Sequence, residues 1–263
     1  MSSNSHISDY SRYFSLRQKV YLVNMSAERN SDIYESLSGV VISRDMNRVD
    51  LKIAYGGPGS HEGEAGSATF KLTSEALGSG IQVLADLVGA TQDNVFQFRL
   101  HGTLEMFQRR IVPRVELSLQ IYLKCGNFPL PFFKKEWKRI MDHLHGGEGT
   151  LPGLVMENME VNLSAGGVGL MVAAVNRPTP LSMFFVSLDA GRPVCALVET
   201  IWQRSVGDQL RCGFRFIQIL KADQERLSQF VGDMLKKDGT VSLDYKRNWV
   251  LVDKMMSDIR KPE

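Results

Sequence analysis

Three guanidinium groups fall within the six residues Arg109-Arg110-Ile111-Val112-Pro113-Arg114. Arginine offers a planar fork of N–H donors that matches phosphate oxygens, and its flat face stacks on a base. Pro113 stiffens the segment and so limits the conformational entropy lost when a ligand orders it. Farther along, Asn162-Leu163-Ser164-Ala165-Gly166-Gly167 sets two short hydrogen-bonding side chains on a tight turn. Asn162 and Ser164 suit the reading of a guanine edge or the bracing of the loop itself. Gly166 and Gly167 permit a positive φ and a close approach of backbone to a ligand. A diester dianion with two purine rings needs both functions of arginine. Either motif alone is weak: paired arginines usually mark a solvated linker, and Asn, Ser and Gly favour ordinary turns. Asn162-Leu163-Ser164 is formally a glycosylation sequon, which a cytosolic setting makes irrelevant.

The elements that must hold these groups are mostly strands. Residues 1–15 are polar and Ser/Asn-rich and read as a flexible tail. Short alternating runs follow at Val20–Met25, Leu37–Ile42, Val49–Ile53, Ala68–Leu72, Gly80–Val88 and Asn94–Leu100, spaced as in a small antiparallel barrel or sandwich. Residues 44–47 read as a turn and the Gly-rich stretch 55–67 as a long loop. The arginine segment, with Pro113 blocking any helix, marks a domain junction. Beyond it, strands are expected at Val115–Leu123, Leu154–Leu163, Val168–Ala173, Leu181–Leu188, Pro193–Gln203 and Leu210–Ile219. Phe133, Trp137, Ile140, Met141 and Leu144 lie on one face of a basic amphipathic helix over Pro131–His145, which Gly146 and Gly147 end. A second helix runs from Asp223, a candidate cap, to Lys237.

Composition narrows the function. The 263 residues are 43% hydrophobic with a net charge of +2, which suits a globular chain and argues against a general nucleic-acid binder. The three cysteines, Cys125, Cys195 and Cys212, are widely spaced and read as reduced thiols, the last two buried in strands. No leader is visible, and no apolar run reaches the length of a spanning helix. The five histidines show no metal-ligand spacing, and nucleophile-elbow, zinc-protease and phosphate-loop motifs are absent. The expectation is a cytoplasmic, non-enzymatic protein without metal or cofactor.

Taken together and in order, the two motifs resemble those of the PilZ family of cyclic di-GMP receptors. That family pairs Arg-x-x-x-Arg, filled here by Arg110 and Arg114, with [Asp/Asn]-x-Ser-x-x-Gly, filled by Asn162, Ser164 and Gly167. Gly213-Phe214-Arg215-Phe216 before the last helix matches the family's closing strand, and Trp202 sits where a late-strand tryptophan often appears. The resemblance spans about residues 106–237. The preceding residues 16–105 resemble the barrel of flagellar-brake-type (YcgR-like) proteins, with Phe98–Leu104 at the junction, and residues 238–263 form a C-terminal extension.

The resemblance implies a mainly β architecture: two small antiparallel β-barrels in tandem, the second followed by an α-helix, with the amphipathic helix inserted. It implies that Arg110 and Arg114 grip phosphates and stack on guanine. Asn162 and Ser164 would contact cyclic di-GMP from the barrel face, Gly167 would hold the turn, and Ala165 and Gly166 would lie against the ligand. A basic residue at position 109 implies a stacked ligand dimer, two molecules per chain. The arginine segment should be mobile until the messenger draws it onto the barrel, reorienting the domains toward a protein target. A flagellar motor component is the usual suggestion for this architecture, with recruitment to the basal body or inner membrane surface; other outputs, including biofilm and virulence, stay open. The alternative is a PilZ-fold adaptor that binds protein and no nucleotide.

Overall fold

A computed structural model of the chain describes residues 9–25, 31–55, 68–76, 79–91, 94–108, 113–146 and 154–237. The alternating runs of the first hundred residues form the strands β1 (Lys19–Asn24), β2 (Ile33–Glu35), β3 (Leu37–Asp45), β4 (Arg48–Ile53), β5 (Thr69–Ala76), β6 (Ser79–Ala90) and β7 (Val95–Gln108). Six of them close into a barrel in the order β1-β3-β4-β7-β6-β5. Inward positions such as Val20, Leu22, Leu51, Leu72 and Ala85 are buried, as a period of two requires. The expected turn at 44–47 is the β3–β4 hairpin, with Met46 at φ 33.

The barrel begins earlier than the polar text of residues 1–15 suggests. Tyr10 and Phe14 are buried on either side of a single 3-10 turn at Ser11–Tyr13, and the Tyr10 hydroxyl donates to the Gly102 carbonyl at 2.5 Å. Two aromatic rings among serines give no periodic signal, yet they close one end of the barrel.

The second half supplies β8 (Val115–Cys125), β9 (Glu157–Ser164), β10 (Gly167–Ala173), β11 (Leu181–Val186), β12 (Val194–Val206) and β13 (Gln209–Leu220). Their order is β10-β9-β8-β11-β12-β13, and pairing of β10 with β13 closes a second antiparallel barrel. One strand is exchanged between the halves: β2 leaves the first barrel and pairs with Gln218–Leu220 of β13. It continues along the edge of β13 where β10, which ends at Arg215, leaves off.

Helix α1 (Leu130–His145) lies against the outer face of β11 and β12. All five residues of its expected apolar face are buried, and the Trp137 indole donates to the Cys195 carbonyl at 3.1 Å. The strand β11 is consequently buried on both faces, with Phe184 and Val186 inside the barrel and Met183 and Phe185 under the helix. One apolar cluster joins the interior of the first barrel, α1 and the outer face of β11–β12. Helix α2 (Lys221–Lys237) starts two residues before Asp223. Asp223 is therefore inside the first turn and not its cap: it is fully buried, accepting from Arg192 at 2.9 Å and Arg226 at 3.1 Å. Among the described residues, no helix is long and apolar enough to cross a membrane.

Candidate ligand-binding site

The Asn162–Gly167 motif is the β9–β10 hairpin, with Ser164 paired to Gly167. The Ser164 side chain is buried, and its hydroxyl donates to the Gly167 carbonyl at 3.1 Å, so it braces the turn from within. Two further bonds hold the turn from outside, with a third next to them on β13. Phe216 N–H of β13 donates to the Gly166 carbonyl at 3.1 Å, Gln224 of α2 donates to the Ala165 carbonyl at 3.2 Å, and beside them Ser36 N–H donates to the Ile217 carbonyl at 2.8 Å. The loop is thus fixed by secondary structure on two sides before any ligand arrives, the condition for binding at low ordering cost.

The glycines serve a different purpose from the one their type suggests. Neither Gly166 nor Gly167 has a positive φ. A Cβ on Gly167 would lie 2.2 Å from the Phe214 carbonyl oxygen, so glycine is required there for the close approach of β10 to β13. Gly166 is exposed, and a Cβ on it would meet nothing within 4 Å. Its face is open to solvent.

Of the three arginines, Arg109 and Arg110 lie outside the described residues. Arg114 is exposed at the entry to β8. The pairing of Val115 with Leu163 continues to bring Arg114 level with Ser164, so backbone register brings the end of the first motif to the turn of the second. Asn162 faces outward, and its amide donates to Glu116 Oε1 at 3.1 Å. Glu116, also 4.0 Å from Arg211, places a carboxylate beside a site expected to take an anion. The sequence carried the signal, since Glu116 follows Arg114 by two residues on the same strand, but its cross-strand partner was not visible.

A second residue was missed. Arg215, in the Gly213–Phe216 stretch, is the β13 partner of Gly167 and points outward from the barrel. Its guanidinium lies 3.8 Å above the ring of Tyr21 on β1. Its neighbour on β12 is Glu199, only 1% exposed. Glu199 Oε1 accepts from Lys19 at 2.6 Å, Ser38 at 2.9 Å and Tyr55 at 3.1 Å, all from the first barrel. Burial, then the charge of Glu199, pushes the Tyr55 phenol above its ordinary range. A row of outward residues, Ser164–Gly167–Arg215–Glu199, therefore runs from the candidate site to the contact between barrels. In the next row Trp202 lies across Gly213, where a Cβ would be 2.2 Å from its indole nitrogen, and stays 46% exposed.

Comparison with known proteins gives a family match for part of the chain. Residues 136–233 match the family model described as the PilZ domain. The match takes in the Asn162–Gly167 turn and begins after the arginine segment. A search of curated protein sequences finds no match. Similar solved structures include an inhibitor of motility (MotI/DgrA) from Bacillus subtilis, at 11% identity, 85% of this chain, 99% of that one and a TM-score of 0.36. YcgR from Escherichia coli in complex with c-di-GMP gives 14% identity, 84% and 85% coverage and a TM-score of 0.31. The K. pneumonia MrkH–c-di-GMP complex gives 13% identity, 85% and 89% coverage and a TM-score of 0.31. Five of the six strands of the second barrel, the Asn162–Gly167 turn and most of the closing helix therefore lie within the residues that match the PilZ domain.

Proposed function

We propose that the chain is a receptor for cyclic di-GMP and acts by binding, not by catalysis. The observation that carries this reading is the rigid Asn162–Gly167 turn with Arg114 level with Ser164, inside a PilZ domain. Arg110 and Arg114 take the phosphates and stack on guanine. Asn162, Ser164, Ala165, Gly166 and Gly167 form the floor, and Arg109 admits a second, stacked messenger molecule. The arginine segment joins the two barrels, so drawing it onto the turn biases their arrangement. A ligand shifts such an equilibrium only by its difference in affinity for the two arrangements. The Glu199 cluster and the Arg215–Tyr21 stack are the contacts that a reorientation has to break, while the β2–β13 pairing remains as the hinge. The output is a changed surface in the cytoplasm, offered to a protein target such as a flagellar motor component.

Isothermal titration with cyclic di-GMP tests this reading, beside Arg110→Ala/Arg114→Ala. Micromolar or tighter binding lost in the double variant supports it, and a stoichiometry of two supports the role of Arg109. No binding by the folded protein refutes it and leaves the adaptor reading. One feature favours that alternative: Phe128 and Phe132, stacked with centroids 4.3 Å apart, stand half exposed at the start of α1, the aromatic composition of a protein-contact surface.

A further inference from the structure

We infer that Arg215 is a further phosphate-binding residue of this site, held by Tyr21 of the first barrel until the messenger displaces it. The inference rests on the cyclic di-GMP reading above. Its starting point is position. Arg215 is the cross-strand partner of Gly167, with its Cα 3.2 Å from where a Gly167 Cβ would stand. The residue next to Arg215, Phe216, donates its N–H to the Gly166 carbonyl at 3.1 Å, and a Cβ on Gly166 would meet nothing within 4 Å.

Its present bonding is incomplete. The Arg215 Nε is buried and makes no hydrogen bond. Its cross-strand neighbour on β12 is Glu199, but Oε1 of that carboxylate is taken by Lys19, Ser38 and Tyr55, and its Oε2 is itself buried without a partner. Two complementary groups therefore sit side by side in register without bonding. The guanidinium rests instead face-on against Tyr21, a contact that uses its charge and flat surface but none of its N–H fork. A buried donor of a charged group without an acceptor is costly, and a diester oxygen offers the forked acceptor that Tyr21 does not.

Ring and phosphate therefore compete for one guanidinium. This gives opposite signs to two neighbouring substitutions. Arg215→Lys keeps the charge and loses the fork; affinity for cyclic di-GMP is expected to fall about tenfold or more, the scale of a charge-assisted bidentate contact. Tyr21→Leu removes the competitor and is expected to raise affinity about two- to fivefold. Tyr21→Phe preserves the stacked ring and leaves affinity unchanged. If Arg215 served only to join the barrels, Tyr21→Leu would weaken binding or leave it as it was.

The experiment is titration of the full chain and these three variants with cyclic di-GMP, each variant checked for native circular dichroism, with Arg110→Ala/Arg114→Ala alongside. The expected result is weaker binding for Arg215→Lys, tighter for Tyr21→Leu and wild-type for Tyr21→Phe. Wild-type binding that the Arg110/Arg114 variant abolishes but Arg215→Lys leaves intact overturns this inference alone, as does unchanged or weaker binding in Tyr21→Leu. Absence of binding by the wild type overturns the receptor reading and this inference with it.

Discussion

Replacing Gly167 by alanine tests whether the site is built by strand approach. The new Cβ would stand 2.2 Å from the Phe214 carbonyl oxygen and 3.2 Å from both Phe214 C and Arg215 Cα. Carbon–oxygen contacts settle near about 3.3–3.6 Å, so β10 and β13 must part by roughly 1 Å. The obstacle is backbone, and no rotamer change relieves it. Overpacking of this kind costs about 1–3 kcal/mol. Parting the strands also strains neighbouring ladder bonds and the 3.1 Å bond from Phe216 N–H to Gly166 O, at about 1 kcal/mol for each bond lost. The total is about 2–4 kcal/mol, or a fall in Tm of roughly 5–15 °C for a chain of this size. Gly166→Ala, one residue away, meets open space and should shift Tm by no more than a degree or two. Thermal unfolding of both variants is the assay. Equal stability of the two, in either direction, would refute the argument that position 167 is fixed by the approach of β13.

Other consequences are open to measurement. Glu116→Gln removes a negative charge from beside the Asn162 amide, and cyclic di-GMP affinity should rise about two- to fivefold, less at high salt because the group is exposed; unchanged affinity in titration would place the ligand elsewhere. Lys19→Met strands the buried Glu199 carboxylate and should cost about 3–5 kcal/mol in urea unfolding, while Glu199→Gln strands only the one-third exposed Lys19 and should cost less. The raised Tyr55 phenol stays neutral in the folded state while its unfolded counterpart ionises near 10. That contribution is complete below pH 10 and is lost as pH rises above it. Tyr55→Phe should therefore flatten the alkaline limb of a stability profile, and an unchanged limb would exclude Tyr55 as its source.

Much of the architecture was readable because single side chains reported it. Phe133, Trp137, Ile140, Met141 and Leu144 repeat at helical period, and all five are buried. The run Leu181–Leu188 was expected as a strand, and β11 spans Leu181–Val186. What escaped was set by partners distant in sequence. Ile33-Tyr34-Glu35 is too short and too half-buried to signal a strand; only the free edge of β13 makes it one. Asp223 has the type and place of a cap, but Arg192 and Arg226 bury it inside the helix. Gly167 was legible as a turn glycine, but the constraint from the Phe214 carbonyl on β13 was not. Glu116 and Arg215 acquire meaning only from the strands beside them.

The exchange of β2 bears on how the protein is made. Among the described residues β13 is the last strand to be synthesised and β2 is the second, and they must meet across more than 180 residues of sequence. Pairings of such sequence separation form late and slowly. During synthesis the Ile33–Glu35 segment waits beside a finished first barrel with its hydrogen-bonding edge uncovered, and a second nascent copy offers the same edge. A version of the chain cut at the junction would leave Gln218–Leu220 bare and the apolar face of β11 and β12 without its neighbour, so the second half expressed alone should aggregate where the whole chain does not.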